Sequence, residues 1–201
     1  MWNVGLTGGL ASGKSVVGRE LEQLGCCVIR MDDLGHEVLK QGGEAYANVV
    51  SAFGPSILNP DGSIDRRRLG QLVFGSPDQL AKLNGLVHPA IHARAQALAK
   101  GFAASHPDAI IVTEAAILIE TGSYRDYDRL IVAVCTPEQQ IERAIARGGL
   151  SRAEVLERLS RQLPIAEKAA YADFVIDTSG TEESTREQAR AVYAQLRSLA
   201  R

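Results

Sequence analysis

Between an apolar run, WNVGLT at 2–7, and a run placing Val16, Val17, Leu21 and Leu24 at helical spacing stands GLTGGLASGKS, residues 5–15. A strand that turns into a helix through Gly8, Gly9 and Gly13 within so few residues restricts the chain to a small set of α/β folds. From Gly8 to Ser15 the spacing is G-x-x-x-x-G-K-[ST]. Loop N–H groups and the positive helix end can there converge on phosphate oxygens. The glycines permit the backbone turns and leave room for the ligand. Lys14 has no acidic residue within four positions. In such a loop it reaches the β and γ phosphates of a nucleoside triphosphate, and the Ser15 hydroxyl joins the coordination sphere of Mg²⁺. The predicted nucleotide contacts are Gly8, Gly9, Ala11, Ser12, Gly13, Lys14, Ser15 and Val16.

The β and α signals go on alternating. Gly25 stops the first helix, CVIRM supplies a second β-branched run, and DDLGHEVLK reads as a helix opened by acids that suit its dipole. AIIVTEA at 109–115 and RLIVAV at 129–134 are nearly continuous in apolar residues, as strands covered on both faces are. A helix over 137–147, a charged helical stretch over 151–170, a strand DFVID at 173–177 and a helix over 181–199 follow. Residues 44–106 differ, holding helical periodicity with only the turn NPDGS interrupting. The expected fold is a three-layer α/β, P-loop-type parallel sheet flanked by helices, with a helical substrate-binding insertion and a helical lid. The expected division is a core of 1–43, 107–150 and 171–201, an insertion of 44–106, and a lid of 151–170.

With 201 residues, 45% of them hydrophobic and 23% charged, the chain can bury one sizeable core and is too apolar for disorder. A net charge of −2 supplies no global field for nucleic acid or an anionic membrane, so any anion site is local. No window approaches the roughly 20 apolar residues of a membrane span, and the first residues lack the basic and apolar regions of a signal peptide. Three cysteines, with Cys26 and Cys27 adjacent at a strand start, do not make a disulfide framework. They read as packed thiols. The expectation is a cytoplasmic protein with no membrane or nucleic-acid partner, as a monomer or weak homo-oligomer.

A loop of this kind serves kinases, switches and motors alike. No Asn-Lys-x-Asp stretch reads a guanine base and no Ser-Gly-Gly signature marks a transporter-type ATPase, which favours a small-molecule kinase. A kinase also needs a carboxylate at the acceptor hydroxyl. Asp32 and Asp33 lie just past the second strand, at the edge where α/β sheets place ligands, and one of them suits a helix N-cap. Glu114 and Glu120 bracket TEAAILIETG, with Glu114 suited to a water-mediated Mg²⁺ contact. Arg143 and Arg147 share one helix face and Arg158 and Arg161 another, so both pairs could close over a polyphosphate. The plainer alternative is a solvated helix with a Glu154–Arg158 pair. His88 and His92 lack an acid or cysteine to complete a zinc site, which leaves capping or substrate contact for His88.

Together these segments resemble the dephospho-CoA kinases nearly end to end. GLTGGLASGKS is similar to that family's opening, and VIRMDDLGHEVL to its second strand and Asp-Ala-Asp stretch. DGSIDRRRLGQLVF, LNGLVHP, QIERAIAR and ADFVIDTSG are similar to further family segments in the same order. The resemblance implies phosphoryl transfer from MgATP to the ribose 3′-hydroxyl of dephospho-CoA. It puts Asp32 in the place of the base, Lys14 and Arg143 among the catalytic groups, and Arg143 and Arg147 in the helix that meets ATP. It puts Arg66, His88, Pro89 and Glu120 on the acceptor side. Three segments depart from the family's pattern. Arg30 replaces the first Asp, removing any second-carboxylate role. Ala116-Ile117-Leu118-Ile119-Glu120 replaces Pro-Leu-Leu-Phe-Glu, and loses the proline's stiffness. Ala11 replaces a common glycine, which suits a helical or extended backbone there. The alternatives left standing are a kinase for another nucleoside or small metabolite, and a nucleotide-dependent regulatory switch.

Overall fold

The computed structural model describes residues 2–199. Five strands, β1 (Trp2–Thr7), β2 (Cys27–Arg30), β3 (Ile110–Glu114), β4 (Arg129–Val134) and β5 (Phe174–Asp177), form a parallel sheet in the order β2-β3-β1-β4-β5. Each strand lies within one residue of its expected span. β1 is central and pairs Leu6 with Glu114 of β3 and with Ile131 of β4. Alternation sends Val4, Leu6, Val112, Ile131 and Ala133 to one face. There α1 (Lys14–Gln23) and α9 (Glu182–Leu199) bury Val17, Leu21, Ala189, Val192 and Leu196 against them. Each buried valine, leucine or isoleucine among them contributes about 1.5–3 kcal/mol by leaving water. Glu20 of α1, itself buried, accepts from Arg190 of α9 at 2.7 Å and ties the two helices together.

On the opposite face packing decides the residue at position 5. A Cβ there would come within 2.9–3.1 Å of Leu130, Tyr127 and Leu118. At the end of α1 the Cys26 N–H bonds the Leu21 carbonyl and the Gly25 N–H bonds that of Glu22. This double bond pattern needs the left-handed backbone that Gly25 supplies at φ 95°, and it aims the chain into β2.

The chain falls into two compact units. One runs to Ile29 and resumes at Gly101; the other is Arg30–Lys100. The second unit is helical. It holds α2 (Met31–Glu37), α3 (Tyr46–Phe53), α4 (Arg66–Phe74) and α5 (Pro77–Ser105) as far as Lys100, around Val38, Val49, Ile57, Leu69, Val73 and Val87. A lone antiparallel bridge, Leu58 to Ile64, closes the NPDGS turn. This unit begins ahead of the expected residue 44 because Val38 is wholly buried with Val49 and Ile57. Residues 151–170, expected as a lid, group with the first unit as α7 (Arg152–Ser160) and α8 (Ile165–Ala169). Val155 of α7 is buried with Ala11 and with Ile141 and Ala144 of α6 (Pro137–Ala146). Among the described residues no helix is long and apolar enough to cross a membrane.

Candidate active site

The loop between β1 and α1 lies at the carboxyl end of the central strand. Its shape is set by close packing. Gly13 adopts φ 86°, and a Cβ on it would strike Thr178 at 2.8 Å. A Cβ on Gly8 would meet the Ala133 carbonyl and the Ser12 hydroxyl at 2.5 Å. Thr178, just past β5, donates its hydroxyl to the Ser12 carbonyl at 2.8 Å and to that of Val134 at 3.0 Å. The last strand thereby braces the loop.

Ala11 corrects an expectation. Its backbone is left-handed, φ 54°, rather than helical or extended. The conformation costs a non-glycine residue about 1–2 kcal/mol. Two things offset it: the Ala11 methyl is buried with Ile141, Ala144 and Val155, and the Leu10 peptide groups are held by other chain segments. The Leu10 carbonyl accepts from Gln140 Nε2 at 2.8 Å, and its N–H donates to Gln162 Oε1 at 2.9 Å.

Lys14 Nζ donates to the carbonyls of Gly8 and Gly9, at 3.1 and 2.8 Å, and so arches over the loop. Ser15 Oγ donates to Glu114 Oε1 at 3.2 Å, which joins the first turn of α1 to the end of β3. The Val16 N–H is turned to the Gly13 carbonyl. Arg143 of α6 donates to the hydroxyl and carbonyl of Thr178, at 3.2 and 2.7 Å, and this seats its guanidinium beside the loop's brace. Arg147, at the C-cap of the same helix, is exposed. Arg161 pairs with Glu157 at 2.6 Å, and Glu154 closes a capping box with Ser151.

In the helical unit, Asp32 and Asp33 are exposed in the first turn of α2. Neither is the N-cap, a place that one of them suited; both are acids of the first turn. That place falls to Arg30, in extended backbone. Arg66 lines a cavity of about 320 Å³ with His36, Lys40, Gln41 and Ser63. His88 and Pro89 are exposed on α5, which continues through the proline. The His88 and His92 rings stand edge to face, 6.4 Å apart. Glu120 lines a cavity of about 510 Å³ with Tyr124, Arg125, Leu163 and Tyr171. Its Oε1 accepts from Lys168 Nζ at 2.7 Å and from the Leu163 N–H at 3.0 Å.

The thiols do not suit nucleophiles. Burial pushes Cys26 up to about 12 and raises Cys27 and Cys135 as well.

The sequence reading missed Gln140, Gln162, Lys168, Thr178 and Gly18. A Cβ on Gly18 would lie 2.8 Å from Glu114 Oε2, so this residue makes room for the carboxylate beside Ser15. Only Thr178 carried a signal, being the first residue past a strand predicted to end at the ligand-bearing sheet edge.

Glycine loop, lysine arch and sheet order together define the class of P-loop nucleotide-binding proteins. The family model for dephospho-CoA kinase matches residues 2–184. The dephospho-CoA kinase of Geobacter sulfurreducens is 42% identical over 192 residues, covering 95% of this chain and 96% of that one. Among solved structures, a Thermus thermophilus protein superposes with TM-score 0.79 at 30% identity, covering 97% of each chain. The dephospho-CoA kinase from Campylobacter jejuni does so with TM-score 0.68 at 26% identity, covering 98% of this chain and 97% of that one. The chain belongs to the dephospho-CoA kinase family.

Proposed function

We propose that this chain transfers the γ-phosphoryl group of ATP to the ribose 3′-hydroxyl of dephospho-CoA, giving coenzyme A and ADP, the last step of CoA synthesis. The observation that carries the reading is how α1 begins. It has Gly13 at its N-cap, no side-chain cap and no acid in its first turn, whereas α6 and α7 both close full capping boxes. A helix of this length left open beneath an arched lysine suits a polyphosphate. The buried hydroxyls of Thr7 and Ser12, which have no hydrogen-bond partner in the structure, add polar groups at the loop.

Lys14 and the loop amides hold the phosphates and stabilise charge as the β–γ bridge breaks. Arg143, fixed through Thr178, adds positive charge, and Arg147 extends that face. Asp32 orients the 3′-hydroxyl and takes its proton as the new O–P bond forms. Arg66, His88, Pro89 and Glu120 serve the acceptor side. Ser15 Oγ and the Glu114 carboxylate would hold Mg²⁺, since an all-oxygen pair with one carboxylate fits a hard cation that keeps waters and phosphate oxygens as its other ligands. When bound there, the ion neutralises charge on the phosphate oxygens.

The test is ADP release from MgATP with dephospho-CoA, adenosine, uridine or shikimate as acceptor. Turnover with dephospho-CoA at least about tenfold above the others is the expected result, the low end of what a binding pocket discriminates. Preference for another acceptor, or nucleotide binding with no acceptor-stimulated turnover, would refute the reading.

A further inference from the structure

Lys168 has no exposed surface and is the largest fully buried side chain among the described residues. Nothing in the phosphoryl transfer uses it. Its Nζ donates to Glu120 Oε1 and to the Ala116 carbonyl, each at 2.7 Å. Both acceptors lie in the segment that leaves β3. A buried ion pair is seldom retained for stability, because apolar side chains of similar volume usually do as well or better. What the pair supplies is a fixed position. The same Glu120 Oε1 accepts from the Leu163 N–H at 3.0 Å, so the pair also pins the residue next to Gln162. Gln162 in turn accepts from the Leu10 N–H, at the bend of the phosphate loop and next to the strained Ala11.

We propose that Gln162 is a positioning residue for the phosphate loop, and that Lys168 holds it in place through Glu120 and Leu163. Residues 162–168 form a strap running from the end of β3 to the loop. Gln140 secures the other side of the same residue through the Leu10 carbonyl. A left-handed alanine persists where its surroundings over-determine it, and two glutamines on one neighbouring residue do that. Gln162 and Lys168 bond the chain itself, at Leu10, Ala116 and Glu120. They set the shape of the loop amides. The inference rests on the reading of this loop as the seat of ATP.

The direct readout is hydrogen exchange at the Leu10 amide in the nucleotide-free protein, which is independent of any activity. Gln162 is partly exposed, and Gln162→Leu leaves the ion pair intact. Exchange at Leu10 should quicken about fivefold, the factor that one hydrogen bond of ordinary net strength represents. Lys168→Met should quicken the same amide to a similar degree, and the double variant should go no further than either single one. In Gln162→Leu, which leaves the acceptor-side Glu120 paired, KM for ATP should rise about fivefold with kcat nearly unchanged, since a better-formed loop grips ground and transition states alike. Should Lys168→Met not fold, the unmodified protein answers: the Leu163 and Leu10 amides must share one opening transition as denaturant is added. An unchanged Leu10 rate in Gln162→Leu overturns the proposal. So does a Lys168→Met effect confined to residues near 168, or a Leu163 amide that opens without Leu10. Wild-type turnover with dephospho-CoA tests the functional reading separately, so failure of the one is distinguishable from failure of the other.

Discussion

Gly18→Ala should separate folding from metal use. Gly18 lies inside α1, where alanine is favoured over glycine by about 1 kcal/mol. The added Cβ would stand 3.6 Å from Val28 Cγ1 and 3.7 Å from Leu6 Cδ2, both ordinary contacts, but 2.8 Å from Glu114 Oε2. Only the carboxylate must move, and it sits at the end of a flexible side chain. The move loses the Ser15–Glu114 hydrogen bond, which at 3.2 Å belongs at the weak end for a charged acceptor, about 1.5 kcal/mol. Gain and loss nearly cancel, leaving a net cost of about 0.5 kcal/mol, or a fall in Tm of about 1–2 °C for a chain of this size. Metal use should not be spared. Displacing a group that holds or orients a metal costs about 10–100-fold in metal affinity, so the free Mg²⁺ needed for half-maximal rate should rise at least tenfold. Thermal unfolding and initial rates over a Mg²⁺ titration at saturating ATP measure the two effects. A Mg²⁺ requirement within about twofold of wild type would refute the assignment of Glu114 to the ion, since the expected loss begins at tenfold. A loss of more than about 3 kcal/mol would refute the steric reasoning, because overpacking rather than a shifted carboxylate would then dominate.

Lys14→Ala should nearly abolish turnover, because it removes the ammonium arched over the loop that would meet the β and γ phosphates; initial rates check it. Asp32→Asn should lower kcat far more than it weakens ATP binding, seen by turnover and calorimetry together; retained turnover would remove Asp32 as the base. Folding stability should fall at high pH in a way that Cys26→Ala removes. The Cys26 thiol is raised to about 12 in the fold, so its contribution is complete below the unfolded thiol's pKa and is lost as pH climbs through the folded value. One unit above the unfolded pKa the loss amounts to about 1.4 kcal/mol. Denaturant unfolding of both proteins across that range measures it, and parallel stability curves would count against the buried thiol.

Much of the fold could be read because its determinants are local. Apolar runs marked all five strands; burial on both faces accounts for them in the three central strands, β3, β1 and β4, whereas the edge strand β5 leaves Val175 exposed. The phosphate loop was legible for the same reason, its glycines, lysine and serine being adjacent in sequence. The unit boundary was less so. Val38 reads as the tail of a helix belonging to the sheet, and only its burial with Val49 and Ile57 shows where it packs.

The supports of the loop lie far along the chain, and no spacing rule reaches them. Ser15 meets Glu114 across 99 residues, Leu10 meets Gln162 across 152, and Thr178 meets Ser12 across 166. Lys168 carries no mark at all, because a lysine in a short charged helix is read as solvated until its surroundings are known. Ala11 shows the same gap from the other side. Local sterics alone assign a non-glycine residue to right-handed or extended backbone, and that rule fails here because Gln140 and Gln162 fix the peptide groups of the preceding residue while Val155 and Ile141 enclose the methyl group. Strain of about 1–2 kcal/mol at one residue is sustained by contacts from α6, α7 and the α7–α8 connection. The loop motif therefore specifies which atoms could bind phosphate, whereas its working shape is specified by residues outside the motif, and substitutions there should alter ATP affinity while leaving every motif residue in place.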